Sequence, residues 1–287
     1  MQQINKKAIF DNTFWQVIAR FGMLAVTLVF IKLTTNYLGT VGVGKYNTIT
    51  TYINFFIVIA DLGFFAVTVR EISQNPQNEK KIISNVMYLR LFSALLACAV
   101  AILIVFATNY DREIKFGTLI ACGFLFFNLL ASVYDMILQH RLRMQFSALS
   151  ELIAKLITLA ALIIIIYFKG SFFWVAATIA LWGILIFLFK YFFTNKYIKF
   201  GPEYDQKMSK WIFNMAWPLG IVFIVNNLYF KIDTLMVFGI KGAAAAGIYT
   251  VAYKVLEVVA FIGSYFSSSL KPAISQNIKD NKKAVAD

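Results

Sequence analysis

Charge is scarce in this sequence. Only 14% of its 287 residues are Asp, Glu, Lys or Arg, against about 25% in a soluble globular domain. Histidine occurs once, as His140, and cysteine twice, as Cys98 and Cys122. A lone histidine in a basic loop reads as solvated, not as half of a catalytic pair. Two thiols inside apolar runs give neither a disulfide framework nor metal-ligand spacing. No metal or other cofactor is expected. The first apolar run has no small-residue cleavage exit and continues at full span length, so no cleavable signal peptide is expected. No connecting segment is long enough for a folded extramembrane domain.

Apolar residues are plentiful. They make up 60% of the chain, with 29 Phe and a mean hydropathy of +0.71. A soluble domain is about 45–50% apolar, so the composition implies a bilayer environment. A helix needs about 20 apolar residues to cross the hydrocarbon core, and about eight runs reach that length. They are Phe14–Tyr37, Tyr46–Val69, Ile82–Ala107, Ile114–Leu138, Ser147–Phe168, Phe172–Thr194, Ile212–Phe238 and Ala245–Leu270. None alternates with period two, which excludes a barrel of strands. The expected fold is an all-α integral membrane protein, a polytopic helical bundle.

The formal net charge is +13, which in a soluble protein would suggest nucleic acid. Here no basic patch interleaved with aromatics occurs, and no nucleic-acid partner is expected. Most of the charge sits in short loops and reads as orientation. One side carries Lys6, Lys7, Arg70, Lys80, Lys81, Arg141, Arg143, Lys196, Lys199, Lys207, Lys210, Lys271, Lys279, Lys282 and Lys283. The other carries only Lys45, Arg112, Lys115, Lys169 and Lys241. The imbalance places both ends of the chain in the cytoplasm.

An internal repeat is visible. A small-residue turn, a tyrosine, a span and Ile-Ser-Gln-Asn occur at Gly39–Tyr46 and Ile72–Asn75, and again at Gly242–Tyr249 and Ile274–Asn277. The offset of about 200 residues aligns the first two spans with the seventh and eighth, as in transporters built from duplicated halves. Residues 1–206 are therefore expected to form an N-terminal six-helix lobe. Residues 207–287 are expected to hold the first two helices and cytoplasmic tail of a second, incomplete lobe. The expectation is that the sequence is part, or a natural truncation, of a protein with about twelve or more spans.

Charges inside the spans are the informative residues. Each costs about 2.5–3.5 kcal/mol at a helix centre, while Leu or Phe returns only about 0.3–0.6. They are Arg20, Lys32, Asp61, Arg90, Asp135, Glu151, Lys155, Lys190, Lys231, Asp233, Lys254 and Glu257. Asp135 and Lys190 lie near span ends and are expected to snorkel. Glu151 with Lys155, and Lys254 with Glu257, have the spacing of ion pairs within one helix. Lys231 and Asp233 are two apart and cannot share a face. Arg20, Lys32, Asp61 and Arg90 have no partner at helical spacing. The surplus of cations suits an anionic passenger such as a lipid phosphate, with Arg20, Lys32, Arg90, Lys155, Lys231 and Lys254 as its binding residues. Asp61, Glu151, Asp233 and Glu257 are candidates for a coupling ion.

Three segments carry a resemblance. They are Asp61-Leu62-Gly63-Phe64 through Ser73, Lys231-Ile232-Asp233-Thr234-Leu235-Met236, and Gly247-Ile248-Tyr249 through Lys254, closed by Pro272-Ala273-Ile274-Ser275. With them the whole chain resembles the bacterial polysaccharide and O-antigen repeat-unit flippases of the multidrug/oligosaccharidyl-lipid/polysaccharide exporter superfamily. The resemblance implies two six-helix lobes around a central cavity in the bacterial inner membrane, working by alternating access. It implies a polyprenyl-(pyro)phosphate-linked oligosaccharide as passenger, membrane lipids as surroundings, and a polysaccharide polymerase and chain-length regulator as partners. A lipid II flippase or multidrug exporter of the same superfamily is the alternative, though a cation exporter would favour acidic charge. A membrane-embedded polymerase or ligase is a further one. It would need a catalytic group outside, where only Asp111 and Glu113 supply acids, so no enzyme is expected. A non-transporting scaffold would leave the buried cations unexplained.

Overall fold

The computed structural model describes residues 6–197, 203–226, 236–237 and 240, with side chains from Phe14 onward. Seven α-helices run through the described residues, and no strand occurs among them: α1 (Lys6–Asp61), α2 (Phe64–Gln74), α3 (Glu79–Ala107), α4 (Arg112–His140), α5 (Met144–Tyr167), α6 (Phe172–Thr194) and α7 (Gln206–Asn226). The long apolar helices make the chain a multi-pass membrane protein. The eighth expected span, 245–270, lies outside the described residues. By contact the chain forms two compact units, Met1–Ile224 and Val225–Asp287. Nearly all the described residues fall in the first.

α1 is two spans joined at one residue. Gly39 has φ 67 and ψ −179, a conformation essentially confined to glycine. The rings of Phe30 and Tyr46 lie 6.3 Å apart across the break, whereas the same stretch of unbroken helix would separate them by about 24 Å. The chain therefore doubles back. The turn expected over Gly39–Gly44 is narrower than its glycines suggest, because only Gly39 leaves the helical conformation.

The second expected span, 46–69, is not one helix. It stops at Asp61 and restarts at Phe64, because Leu62 (φ 46) and Gly63 (φ 73) both enter the left-handed region. Gly63 is also pressed against α7: a Cβ there would lie 2.7 Å from the Ala216 carbonyl oxygen and 2.8 Å from the Gly220 nitrogen. Leucine tolerates the strained conformation beside it, where the two backbones meet.

α4 is the centre of the unit. Its buried residues lie on every side, among them Ile114, Ala121, Leu125, Leu129, Val133 and Ile137. Against α6 the backbones nearly touch: a Cβ on Gly183 would come within 2.7 Å of Phe124 Cα. Small residues permit such approach where lipid offers no hydrophobic drive between helices. α4 and α5 end alike. Arg143 N donates to Leu138 O and Leu142 N to Gln139 O; Gly170 N donates to Ile165 O and Lys169 N to Ile166 O. Both are Schellman closures, with Leu142 (φ 54) and Lys169 (φ 53) where glycine is usual. They turn the chain back within a few residues.

The connections 75–78 and 141–143, with residues 195–197 and 203–205, gather at one end of the unit, the basic end. There Lys80 pairs with Glu203, Lys81 with Asp205 and Arg141 with Glu79. Asn85 accepts from Asp205 N and Ser209 Oγ and donates to Glu203 O, so the start of α7 is fastened to α3. The Lys81 ammonium beside Asp205 holds its carboxyl below the usual carboxylate range. At the opposite end Lys45 bridges Asp111 (3.0 Å) and Glu113 (2.7 Å).

Candidate functional site

Asp61 is the last residue of α1, and the break that follows strands the carbonyls of the preceding turn. Arg90 of α3 fills that gap. Its Nη1 donates to the carbonyls of Asp61 (3.3 Å) and Ala60 (3.5 Å), and its Nη2 to the Asp61 carboxylate. The guanidinium carbon lies 5.3 Å from the centre of the Phe64 ring. Arg90 is fully buried, while the Asp61 side chain is 36% exposed. Two of the four residues without partners at helical spacing are thus partners of each other, and together they fasten the helix break.

Lys190 of α6 is not a snorkelling residue. Its side chain is 3% exposed, and Nζ lies 2.8 Å from Asp135 Oδ2 on α4 and 3.0 Å from Glu151 Oε1 on α5. Ser147 Oγ donates to the other Asp135 oxygen at 2.6 Å. Snorkelling fails because α4, α5 and α6 close over the amine before it reaches the basic end. The expected Glu151–Lys155 pair does not form either, since Glu151 serves Lys190 instead. One signal in the sequence pointed to this cluster: Asp135, Glu151 and Lys190 all lie within about two turns of the same end of their helices.

Lys155 is buried without a carboxylate. Its Nζ lies 4.3 Å from the centre of the Phe30 ring and 4.4 Å from that of Trp182. Trp182 stacks on Phe124 at 5.0 Å, and its buried Nε1 has no partner among the described residues. The amine is held by ring faces alone. Neither Phe30 nor Trp182 had been singled out from the sequence, because apolar aromatics abound in every span.

Arg90 and Lys190 thus meet three carboxylates, Asp61, Asp135 and Glu151, in and around the packed interior, and Lys155 is buried beside them without one. Their formal charges cancel. The cation surplus among the described in-span residues is Arg20 and Lys32, both exposed on the first limb of α1. Neither makes an ion pair among the described residues. Lys231, Asp233, Lys254 and Glu257 lie outside the described residues. No group of His, Cys, Asp and Glu able to hold a metal ion occurs among the described residues.

Residues 9–278 match the family described as "Polysaccharide biosynthesis protein". No curated protein matches the chain. Among solved structures, a transporter of the MOP superfamily from Pyrococcus furiosus is similar over 88% of this chain, with a TM-score of 0.66 at 15% identity. The chain spans 60% of that protein's length. At that identity the likeness is one of fold.

Proposed function

The chain belongs to the polysaccharide biosynthesis protein family, and we propose that it moves a polyprenyl-(pyro)phosphate-linked oligosaccharide across the bacterial inner membrane by alternating access. The observation that carries this reading is the pair of exposed, unpaired cations on the first limb of α1, Arg20 and Lys32. A cation facing hydrocarbon is costly, and one facing a passenger's phosphate is stabilised. The two lie about 18 Å apart along the helix and would meet the phosphate in turn, Arg20 through its planar fork and Lys32 as a point charge. Arg90 and Lys155, sealed in the packed interior, act on the passenger only through the helices they hold. Asp61, half-exposed beside Arg90, is the described carboxylate best placed to exchange a proton or cation, with Glu151 next. The basic end faces the cytoplasm in this reading, as the Lys and Arg of the loops favour.

The test is transbilayer movement in proteoliposomes of a fluorescent polyprenyl-diphosphate-linked sugar, read by leaflet-specific quenching. The full protein is expected to move it, and Arg20→Ala with Lys32→Ala to reduce the rate at least about tenfold at unchanged melting temperature, about 1.4 kcal/mol of lost interaction. Absence of movement by the unaltered protein overturns the reading. An undiminished rate in the double variant overturns the role of the two cations.

A further inference from the structure

The second limb of α1 has two unlike faces. Ile49, Ile53, Phe56 and Ala60 are buried in the core, within about 60° of helical arc. On roughly the opposite arc, about 80° wide, lie Asn47, Thr51, Asn54 and Asp61, with half-buried Val58 as its one apolar member. The first three are exposed and Asp61 is half-exposed. Their positions span about 21 Å along the helix. The side chains of Asn47, Thr51 and Asn54 make no hydrogen bond among the described residues.

The exposed face of α3 follows the opposite rule. It presents Leu91, Phe92, Leu95, Leu96, Leu103 and Ile104, as contact with lipid tails requires. A carboxamide turned toward hydrocarbon leaves its donors and acceptor unmet, which is unfavourable by several kcal/mol. The polar arc of α1 therefore calls for surroundings that return hydrogen bonds: water near Asn47, one turn from the Lys45 end, and a polar partner for Thr51 and Asn54 deeper in the span.

We propose that Asn47, Thr51, Asn54 and Asp61 form a track that holds the sugar portion of the passenger through its hydroxyls. This rests on the transport reading and deepens it. The arc offers amide donors, amide and carboxylate acceptors and one hydroxyl, which is the mixed set that sugar hydroxyls satisfy. It carries no free cation, and the charge of its one carboxylate, Asp61, is met by Arg90, so nothing on the arc attracts phosphate. Division of labour follows: Arg20 and Lys32 take the phosphate, and the second limb takes the glycan. The length of the arc accommodates several sugar units in line.

The experiment measures binding of two probes to the full protein in nanodiscs: undecaprenyl diphosphate, and undecaprenyl diphosphate carrying a disaccharide of N-acetylglucosamine. The unaltered protein is expected to bind the sugar-bearing probe at least about tenfold tighter, or about 1.4 kcal/mol. Asn47→Leu with Asn54→Leu is expected to bring the two affinities within about twofold, leaving the sugar-free probe and the melting temperature unchanged. Asn54→Gln, which keeps the amide, is expected to retain part of the difference. A double variant that keeps the full difference overturns the track while the transport reading stands. So does a higher melting temperature with the difference intact, the mark of a face that meets lipid. Equal binding of both probes by the unaltered protein also overturns it. Binding of neither probe overturns the track together with the transport reading.

Discussion

Two buried lysines of one helical unit show two ways of keeping an amine out of water. Lys190 is held by two carboxylates at 2.8 and 3.0 Å, one of which accepts from Ser147 Oγ at 2.6 Å. Lys155, on the neighbouring helix α5, is held by two ring faces at 4.3 and 4.4 Å. The first arrangement ties α4, α5 and α6 together through directional bonds whose loss leaves charges stranded. The second supplies a quadrupole attraction of about 2 kcal/mol or more when desolvated, set against the larger desolvation of an unpaired ammonium. The difference teaches that burial of a charge says little about its contribution. What matters is what remains when it is removed: two facing carboxylates in one place, and an apolar gap in the other.

The sharpest way to break the comparison is Lys190→Ala. It leaves the partly buried Asp135 and Glu151 facing each other without their counter-ion, so a loss of about 2–4 kcal/mol is expected, toward the lower end of what breaking a buried pair costs. Equilibrium unfolding in detergent measures it. Loss below about 1 kcal/mol would place Lys190 on the same footing as Lys155. Trp182→Leu comes next. It removes one ring from Lys155, a stacking partner from Phe124 and part of the α4–α6 packing, and is expected to cost about 2–3 kcal/mol. Trp182→Phe, which keeps a ring face, is expected to recover about half of that.

These contrasts mark where the sequence was readable. Span positions follow from run length, because a helix either covers the hydrocarbon or does not. The described helices α3 to α6 lie where the apolar runs placed them. The basic end was also legible, since its loops are lysine-rich and short. Helix breaks were half legible. Gly39 and Gly63 were visible as glycines, but Gly42 and Gly44 looked the same and stayed helical, because φ is set by packing that no local pattern reports. The pairing of charges was least legible. Spacing rules see partners on one helix, and so linked Glu151 to Lys155. The actual partners, Lys190 with Asp135 and Glu151, and Arg90 with Asp61, meet only when separate helices pack. Depth from span ends was the remaining clue, since charges at equal depth are the ones that adjacent helices bring together.

The smallest expected effect tests the comparison from the side of Lys155. Lys155→Met keeps a flexible unbranched chain of similar volume and removes the unpaired ammonium. A thioether sits well against aromatic rings, contributing about 0.3–1.5 kcal/mol, so the contacts with Phe30 and Trp182 survive in another form. Replacement of buried charge by apolar groups of similar volume is often neutral or stabilising. The variant is therefore expected to unfold at the same or a slightly higher temperature, with a stability change under about 1 kcal/mol. A loss above about 2 kcal/mol would mean that the two rings outweigh desolvation and that Lys155 is a structural tie of the same rank as Lys190. Transport gives the second readout. A protein that keeps its stability with methionine at position 155 but loses passenger movement shows that the charge serves the working cycle, because an amine that contributes nothing to packing has no structural reason to be there.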